Sequence, residues 1–288
     1  MLNQMEIVFP HLGLDLKYVP KSFRVFGIEI AMYGIFIALG VICGYLLAEK
    51  VAKKQGIDGD FFFDFTIWAV VLSILGARVY YVIFQWDYYK NHLLSILNFR
   101  EGGLAIYGGV IVAFTTLFVY CNKKKQNPKR VGDAAVCGLI LGQIIGRWGN
   151  FTNREVFGQY TDSLFAMRIP ADMVRNVDIS PSIMEHMVEG TNYIQVHPTF
   201  LYEGLWNLCI LLFMLYWMNK KKFDGEICLI YLGGYGLGRA WIEQIRTDQL
   251  YIHGTTVPVS QVLAIVLFVG AVVCDIVVRI HIGKNNKE

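Results

Sequence analysis

Apolar residues in this chain come in long runs, separated by short polar connections. Seven runs approach the roughly 20 residues needed to cross a hydrocarbon core of about 30 Å: 29–48, 64–86, 104–121, 132–150, 199–218, 226–245 and 257–278. The pattern predicts an all-α, polytopic membrane bundle of about seven transmembrane helices. The fourth run is Gly-rich, with Gly138, Gly142 and Gly146 four residues apart. Four-residue spacing leaves one helix face bare, so a second helix can approach closely. Gly234 and Gly238 make the same offer in the sixth run.

Lysine and arginine in the connections set the expected orientation. Segments 49–60, 122–132, 219–225 and 279–288 carry 3, 5, 3 and 3 basic residues. They are alternate connections plus the C-terminus, which places them in the cytoplasm and the N-terminus outside. The remaining connections, about 87–103, 151–198 and 246–256, then face out. Pro170, Pro181 and Pro198 break the long middle one, so 151–198 reads as a small external cap on one transmembrane domain, 1–288. No cleavable signal peptide is evident: a mixed segment with Glu6, Pro10, Asp15 and Pro20 precedes the first strongly apolar run, near Val25.

Composition agrees with the bilayer reading: 55% of the 288 residues are hydrophobic and 17% charged, against about a quarter charged in soluble domains. The six cysteines lie in or at the ends of apolar runs without a CxxC pair. They read as small buried hydrophobes, and no metal or disulfide framework is expected.

A charged side chain at mid-bilayer costs roughly 2.5–3.5 kcal/mol on insertion scales. Arg78, Arg147 and Arg239 nonetheless lie in the last third of the second, fourth and sixth runs. Tyr33, Tyr107, His197, Tyr202 and Glu203 lie near the starts of the odd-numbered runs. With the assigned orientation, all these groups fall near the outer face. Arg78 alone reads equally well as an arginine snorkelling to the nearer interface. The group as a whole reads as a water-accessible pocket.

The densest polar stretch is Gly146-Arg147-Trp148-Gly149-Asn150-Phe151-Thr152-Asn153-Arg154-Glu155-Val156-Phe157-Gly158. Glycines beside Arg147 let an anionic headgroup approach, and the guanidinium offers a planar fork to phosphate oxygens. Asn150 and Asn153 can bond glycerol or ester oxygens, and Glu155 can hold Arg147. Tyr235, Arg239 and Glu243 share one helix face at four-residue spacing. Arg followed by Glu at i+4 is the less favourable order for simple stabilisation, which points to Glu243 fixing Arg239 for a ligand. His197 fits a proton carrier or a hydrogen-bonded structural histidine equally well. In the block 102–109, two Gly pairs bracket Tyr107 and are expected to clear space around its hydroxyl.

Together these stretches resemble the prolipoprotein diacylglyceryl transferase family. Gly146 to Gly158 matches that family's signature, Gly-Arg-x-Gly-Asn-Phe-x-Asn-x-Glu-x-x-Gly, at every fixed position. The blocks 102–109, 197–203 and 238–246 follow in family order. The resemblance implies a bacterial cell-membrane enzyme, active toward the outer leaflet and needing no cofactor. It would move the diacylglyceryl group of phosphatidylglycerol to the lipobox cysteine thiol of a prolipoprotein signal peptide. A thioether forms and glycerol 1-phosphate leaves, as the first step of lipoprotein maturation. Arg147 would bind the headgroup in a site shaped by Asn150, Glu155 and Gly158, with Tyr33, Tyr235 and His197 also lining it. Arg239 would stabilise the leaving phosphate with support from Glu243. Many members carry a histidine, a proposed base, where this chain has Tyr107. A phenol with a reference pKa near 10 is a poor base at neutral pH. A nearby cation, another base, or a phosphate that leaves first are the alternatives.

A small-anion channel could use the same arginines, but it needs a polar path to the inner face, and the inner halves of the runs are nearly all apolar. A non-catalytic lipid-binding scaffold is the other rival. The basic residues are placed for topology, and no nucleic acid partner is expected.

Overall fold

Seven long helices, two short ones and a small β-rich cap make up the computed structural model, which describes residues 5–99, 102–188 and 190–285. The helices are α1 (Met32–Lys54), α2 (Gly59–Phe84), a single turn α3 (Trp86–Tyr89), α4 (Ile106–Lys123), α5 (Pro128–Asn153), a short α6 (Pro181–Glu185), α7 (Thr199–Trp217), α8 (Glu226–Ile242) and α9 (Val259–Asn285). Among the long ones, six are long and apolar enough to cross a membrane. The remaining one is α8, with 17 residues followed by a 3-10 turn at Glu243–Ile245.

The structured residues form two compact units, Met1–Gly44 with Val136–Glu288, and Tyr45–Ala135. In the second unit, α2 packs on α4. A Cβ on Gly108 would lie 2.4 Å from the Gly76 carbonyl oxygen, so the two backbones touch there. Toward the other end of this helix pair, the Phe61 and Phe65 rings pack tilted against Tyr120, with centroids 5.4 and 6.1 Å from it.

The first unit holds the start of α1, most of α5, and α7 to α9. The glycine face of α5 is used as its spacing suggests. A Cβ on Gly44 would lie 2.6 Å from the Gly138 carbonyl oxygen, and one on Gly40 3.1 Å from that of Gly142. Gly238 on α8 admits the Trp206 indole of α7 at a similarly close approach. At the far end of α8, the fully buried Glu226 accepts from Trp217 Nε1 at 2.6 Å and Arg279 Nη2 at 2.5 Å. That ties α7, α8 and α9 together.

The cap differs from the expected one in composition. Residues 151–198 supply β5 (Met167–Pro170) and β6 (Tyr193–Val196), but the N-terminal segment adds β1 (Ile7–Phe9) and β2 (Leu14–Leu16). The sheet order is β2-β1-β5-β6, all antiparallel, so β1 is an interior strand. Ile7 and Phe9 pack with Phe157, Ile169, Ile194 and Val196 in one buried cluster. Three residues are too few to show an alternating pattern in sequence, which is why β1 escapes notice there. A separate hairpin, β3 (Ser22–Val25) with β4 (Ile28–Ala31), leads into α1.

Gly44→Val should force α1 away from Gly138. Overpacking of this kind costs about 1–3 kcal/mol, read as a fall in the Tm of purified protein. An unchanged Tm would show that the α1–α5 contact is slack.

Candidate active site

Glu203 sits near the N-terminus of α7, where a helix dipole favours an acid. Its side chain is only 5% exposed. Three guanidiniums converge on it. Arg147, near the end of α5, places Nη2 against Oε2. Arg239, in the last turn of α8, holds Nη1 3.5 Å from Oε1. Arg246, just beyond α8, donates from Nη1 to the same oxygen at 3.4 Å. The carboxylate thus joins α5, α7 and α8.

The three cations are balanced by three acids. Arg239 Nη2 lies 2.6 Å from Glu243 Oε2. The approach is an ion pair without hydrogen-bond alignment, since that oxygen is buried and accepts no aligned hydrogen bond. Ser260 donates to the other Glu243 oxygen, and Gln249 to its backbone carbonyl. Arg246 is clamped by Asp248 through two bonds, Nε at 2.8 Å and Nη2 at 2.6 Å. Outside the bundle, burial raises the Asp248 carboxyl's pKa, but the Arg246 guanidinium more than offsets this and the net shift is downward. The ion pair therefore stays charged.

This distribution separates the arginines by role. Every nitrogen of Arg246 is engaged, and its side chain is 9% exposed. Arg147 and Arg239 are about twice as exposed, at 17% and 18%, and each leaves Nε without an acid partner among the described residues. They are the two that can still reach an anionic ligand. Arg147 Nη1 also donates to Asn150 Oδ1 at 3.3 Å, and Asn150 Nδ2 donates to Glu155 Oε1 at 2.8 Å. The chain from Glu155 through Asn150 thus braces Arg147. The turn that carries Glu155 is strained: Arg154 and Val156 have φ of 56° and 61°, which is uncommon for a non-glycine residue and an outlier for a β-branched one.

The other expected residues fall around this cluster. The Tyr33 ring packs on Gly149, where a Cβ would lie 2.7 Å away. Tyr235 stacks on Tyr231 and, with Glu203, Asn207 and Arg239, lines a cavity of about 10 Å³, the size of one water. Gly158 is a junction: its N–H donates to the His197 carbonyl at 3.0 Å, it bridges to Arg246, and a Cβ would lie 2.8 Å from the Ile245 carbonyl oxygen. His197 Nδ1 lies 3.2 Å from the Tyr202 hydroxyl. Burial pushes the imidazole below its ordinary pKa, which favours its neutral form and makes it a weaker base.

Tyr107 belongs to the second unit, at the second residue of α4, and is 44% exposed. The glycines around it do not serve the purpose expected of them. Gly108 meets Gly76, as described, while Gly102 and Gly103 have positive φ and turn their carbonyls to Arg78. Arg78 is buried and makes no ion pair with an acid among the described residues. Its five N–H groups donate to the carbonyls of Ser95, Ile96, Asn98, Gly102 and Gly103 at 2.6–3.0 Å. It neither snorkels nor keeps donors for a ligand; it organises the segment leading into α4.

Two residues central to this geometry, Glu203 and Arg246, carried no assigned role in the sequence reading. Arg246 lies outside the apolar runs, where an arginine attracts no notice. Glu203 stands alone in its run, and its partners are remote in sequence.

The description "prolipoprotein diacylglyceryl transferase" matches residues 20–277. The chain belongs to the prolipoprotein diacylglyceryl transferase family. It is accordingly a transferase. It is 41% identical over 268 residues to the phosphatidylglycerol–prolipoprotein diacylglyceryl transferase of Finegoldia magna, covering 93% of this chain and 98% of that one. The enzymes of the same name from Clostridioides difficile and Lysinibacillus sphaericus are each 36% identical. Their alignments cover 93% and 90% of this chain and 96% and 93% of theirs.

Glu203→Gln should leave three buried guanidiniums around a neutral amide. Removing one partner of a buried ion pair costs about 3–5 kcal/mol. The expected result is a sharply lower Tm together with loss of transferase activity. A variant as stable as the parent would show that Glu203 does not anchor the cluster.

Proposed function

We propose that the protein transfers the diacylglyceryl group of phosphatidylglycerol to the thiol of the lipobox cysteine in a prolipoprotein signal peptide. The pairing of Arg147 and Arg239 across one buried carboxylate carries this reading. In the reaction, the sulfur attacks the glyceryl carbon attached to the phosphate ester oxygen. A C–S bond forms, the C–O bond breaks, and its electrons pass to the phosphate. Phosphatidylglycerol is a diester with one negative charge, whereas glycerol 1-phosphate carries nearly two at pH 7. Charge therefore grows on the phosphate as the bond breaks. Two arginines already fixed by Glu203, Glu243 and Asn150 stabilise that growth without reorganising.

The thiol proton has two acceptors of suitable chemistry. One is the departing phosphate monoester, whose second pKa is about 6. The other is neutral His197. In this reading Tyr107 positions substrate instead of taking the proton. Arg147 binds the headgroup with Asn150, Glu155 and Gly158 shaping its surroundings, and Arg239 meets the leaving oxygens with Glu243 behind it. Tyr33 and Tyr235 flank them.

The same reading places seven spans in the bacterial cell membrane, with α8 the seventh. At 1.5 Å per residue, its 17 residues reach about 25 Å, and the turn at Glu243–Ile245 extends it. The lysine clusters at 123–125 and 220–222 support a cytoplasmic location for the connections that carry them. The arginine cluster then opens toward the outer leaflet, where a phospholipid headgroup and a membrane-tethered cysteine can meet. The initial step of lipoprotein maturation takes place there.

The direct test uses purified protein, labelled phosphatidylglycerol and a lipobox peptide. Peptide thioether and glycerol phosphate should appear in equal amounts. Arg147→Ala should lower the rate by roughly a hundredfold or more while the protein still inserts. Normal turnover by that variant would sink the headgroup assignment. Tyr107→Phe should keep a near-normal pH–rate profile with an altered KM. A collapse of kcat would identify the phenol as the proton acceptor or donor.

A further inference from the structure

Between α8 and α9 the chain doubles back. Ile252 N donates to Val257 O at 3.0 Å, Val259 N donates to Leu250 O at 2.8 Å, and Tyr251 bridges to Pro258. Against this hairpin lies an open cavity of about 350 Å³, within the usual size range of ligand sites. Gln244, Gln249, Tyr251, Thr255, Thr256 and Gln261 line it, giving amides and hydroxyls without a charge. The side chains of Gln244 and Thr256 make no hydrogen bond among the described residues. Gln261 donates to the Ala240 carbonyl at 3.2 Å and keeps its amide oxygen open.

Such a lining does not suit a phosphate, which calls for cations. It suits a neutral ligand with many donors and acceptors, and the volume far exceeds that of a glycerol headgroup. An extended polypeptide meets both requirements. Two further observations favour a peptide. The cavity wall is shared with the charge cluster, since Gln249 bonds the Glu243 carbonyl and Ser260, next to Gln261, bonds the Glu243 carboxylate. The hairpin itself exposes Leu250, Ile252 and Val257. Amides and hydroxyls beside an apolar edge match a peptide that is apolar before its cysteine and offers backbone donors and acceptors after it.

We infer that this cavity binds the residues that follow the acceptor cysteine of the precursor. The inference rests on the proposed transfer reaction and adds a specificity site to it. The test compares two lipobox peptides with serine in place of cysteine, one ending at that position and one extended by three residues. Binding to the full-length protein in phosphatidylglycerol nanodiscs is read by fluorescence anisotropy. The extended peptide should bind roughly tenfold tighter, as expected for one or two added hydrogen bonds. Thr256→Val with Gln261→Leu should bring its Kd to that of the truncated peptide. Equal affinities in the parent protein, or an extension gain that survives both substitutions, would overturn the assignment. So would an effect confined to phosphatidylglycerol affinity, which would make the cavity a lipid subsite. The serine peptides need no turnover, so intact selective binding without transfer of a cysteine peptide would overturn the proposed chemistry alone.

Discussion

A buried carboxylate that accepts three guanidiniums is the constraint from which the site follows. Burying one arginine in an apolar bundle is costly, and burying three together adds their mutual repulsion. Glu203 makes the arrangement tolerable by serving all three, and Glu243 and Asp248 complete the balance. The acids also fix where each donor points. Asp248 occupies Arg246 fully, while Arg147 and Arg239 retain unused capacity. Pairing is thus how two arginines are held ready in a dry setting, with most of the ordering cost met during folding.

The surrounding elements hold that constellation in register. Close glycine contacts between α1 and α5, and between α7 and α8, bring the helices near enough for the side chains to meet. Gly158 joins the cap to His197 and Arg246 through backbone contacts. Any side chain there would push against the Ile245 carbonyl, within two residues of Glu243. Cap, histidine and arginine clamp are therefore mechanically linked through one residue that has no side chain.

Much of the helical architecture was legible because helices in a bilayer advertise themselves through length and composition. The predicted runs agree with the observed helices to within a few residues at most ends. Arg147 with Asn150 and Glu155, and Arg239 with Glu243, were legible because each set sits on contiguous sequence with regular spacing. Glu203 as a hub was not, because its meaning depends on three partners drawn from α5, α8 and the segment after it. The work of Arg78 was hidden for a related reason: backbone carbonyls leave no trace in residue identity. The same holds for the glycines near Tyr107, whose purpose depends on what approaches them. None of the six strands was foreseen, because strands of three or four residues carry no readable periodicity.

The place of β1 in the cap bears on how the protein is made. Its partners β5 and β6 come from the connection between α5 and α7. The hydroxyl of Tyr193 reaches back to Glu6 at 2.5 Å, across 187 residues of sequence. Ribosomes deliver the N-terminus first, so this strand must wait until α1, α2, α4 and α5 have emerged before it finds its sheet. Contacts of such long range form late and slowly. The cap, and with it the junction at Gly158, therefore closes only after most of the bundle has been threaded into the bilayer. Until then the apolar residues Ile7 and Phe9 lack the cap residues that bury them in the finished fold.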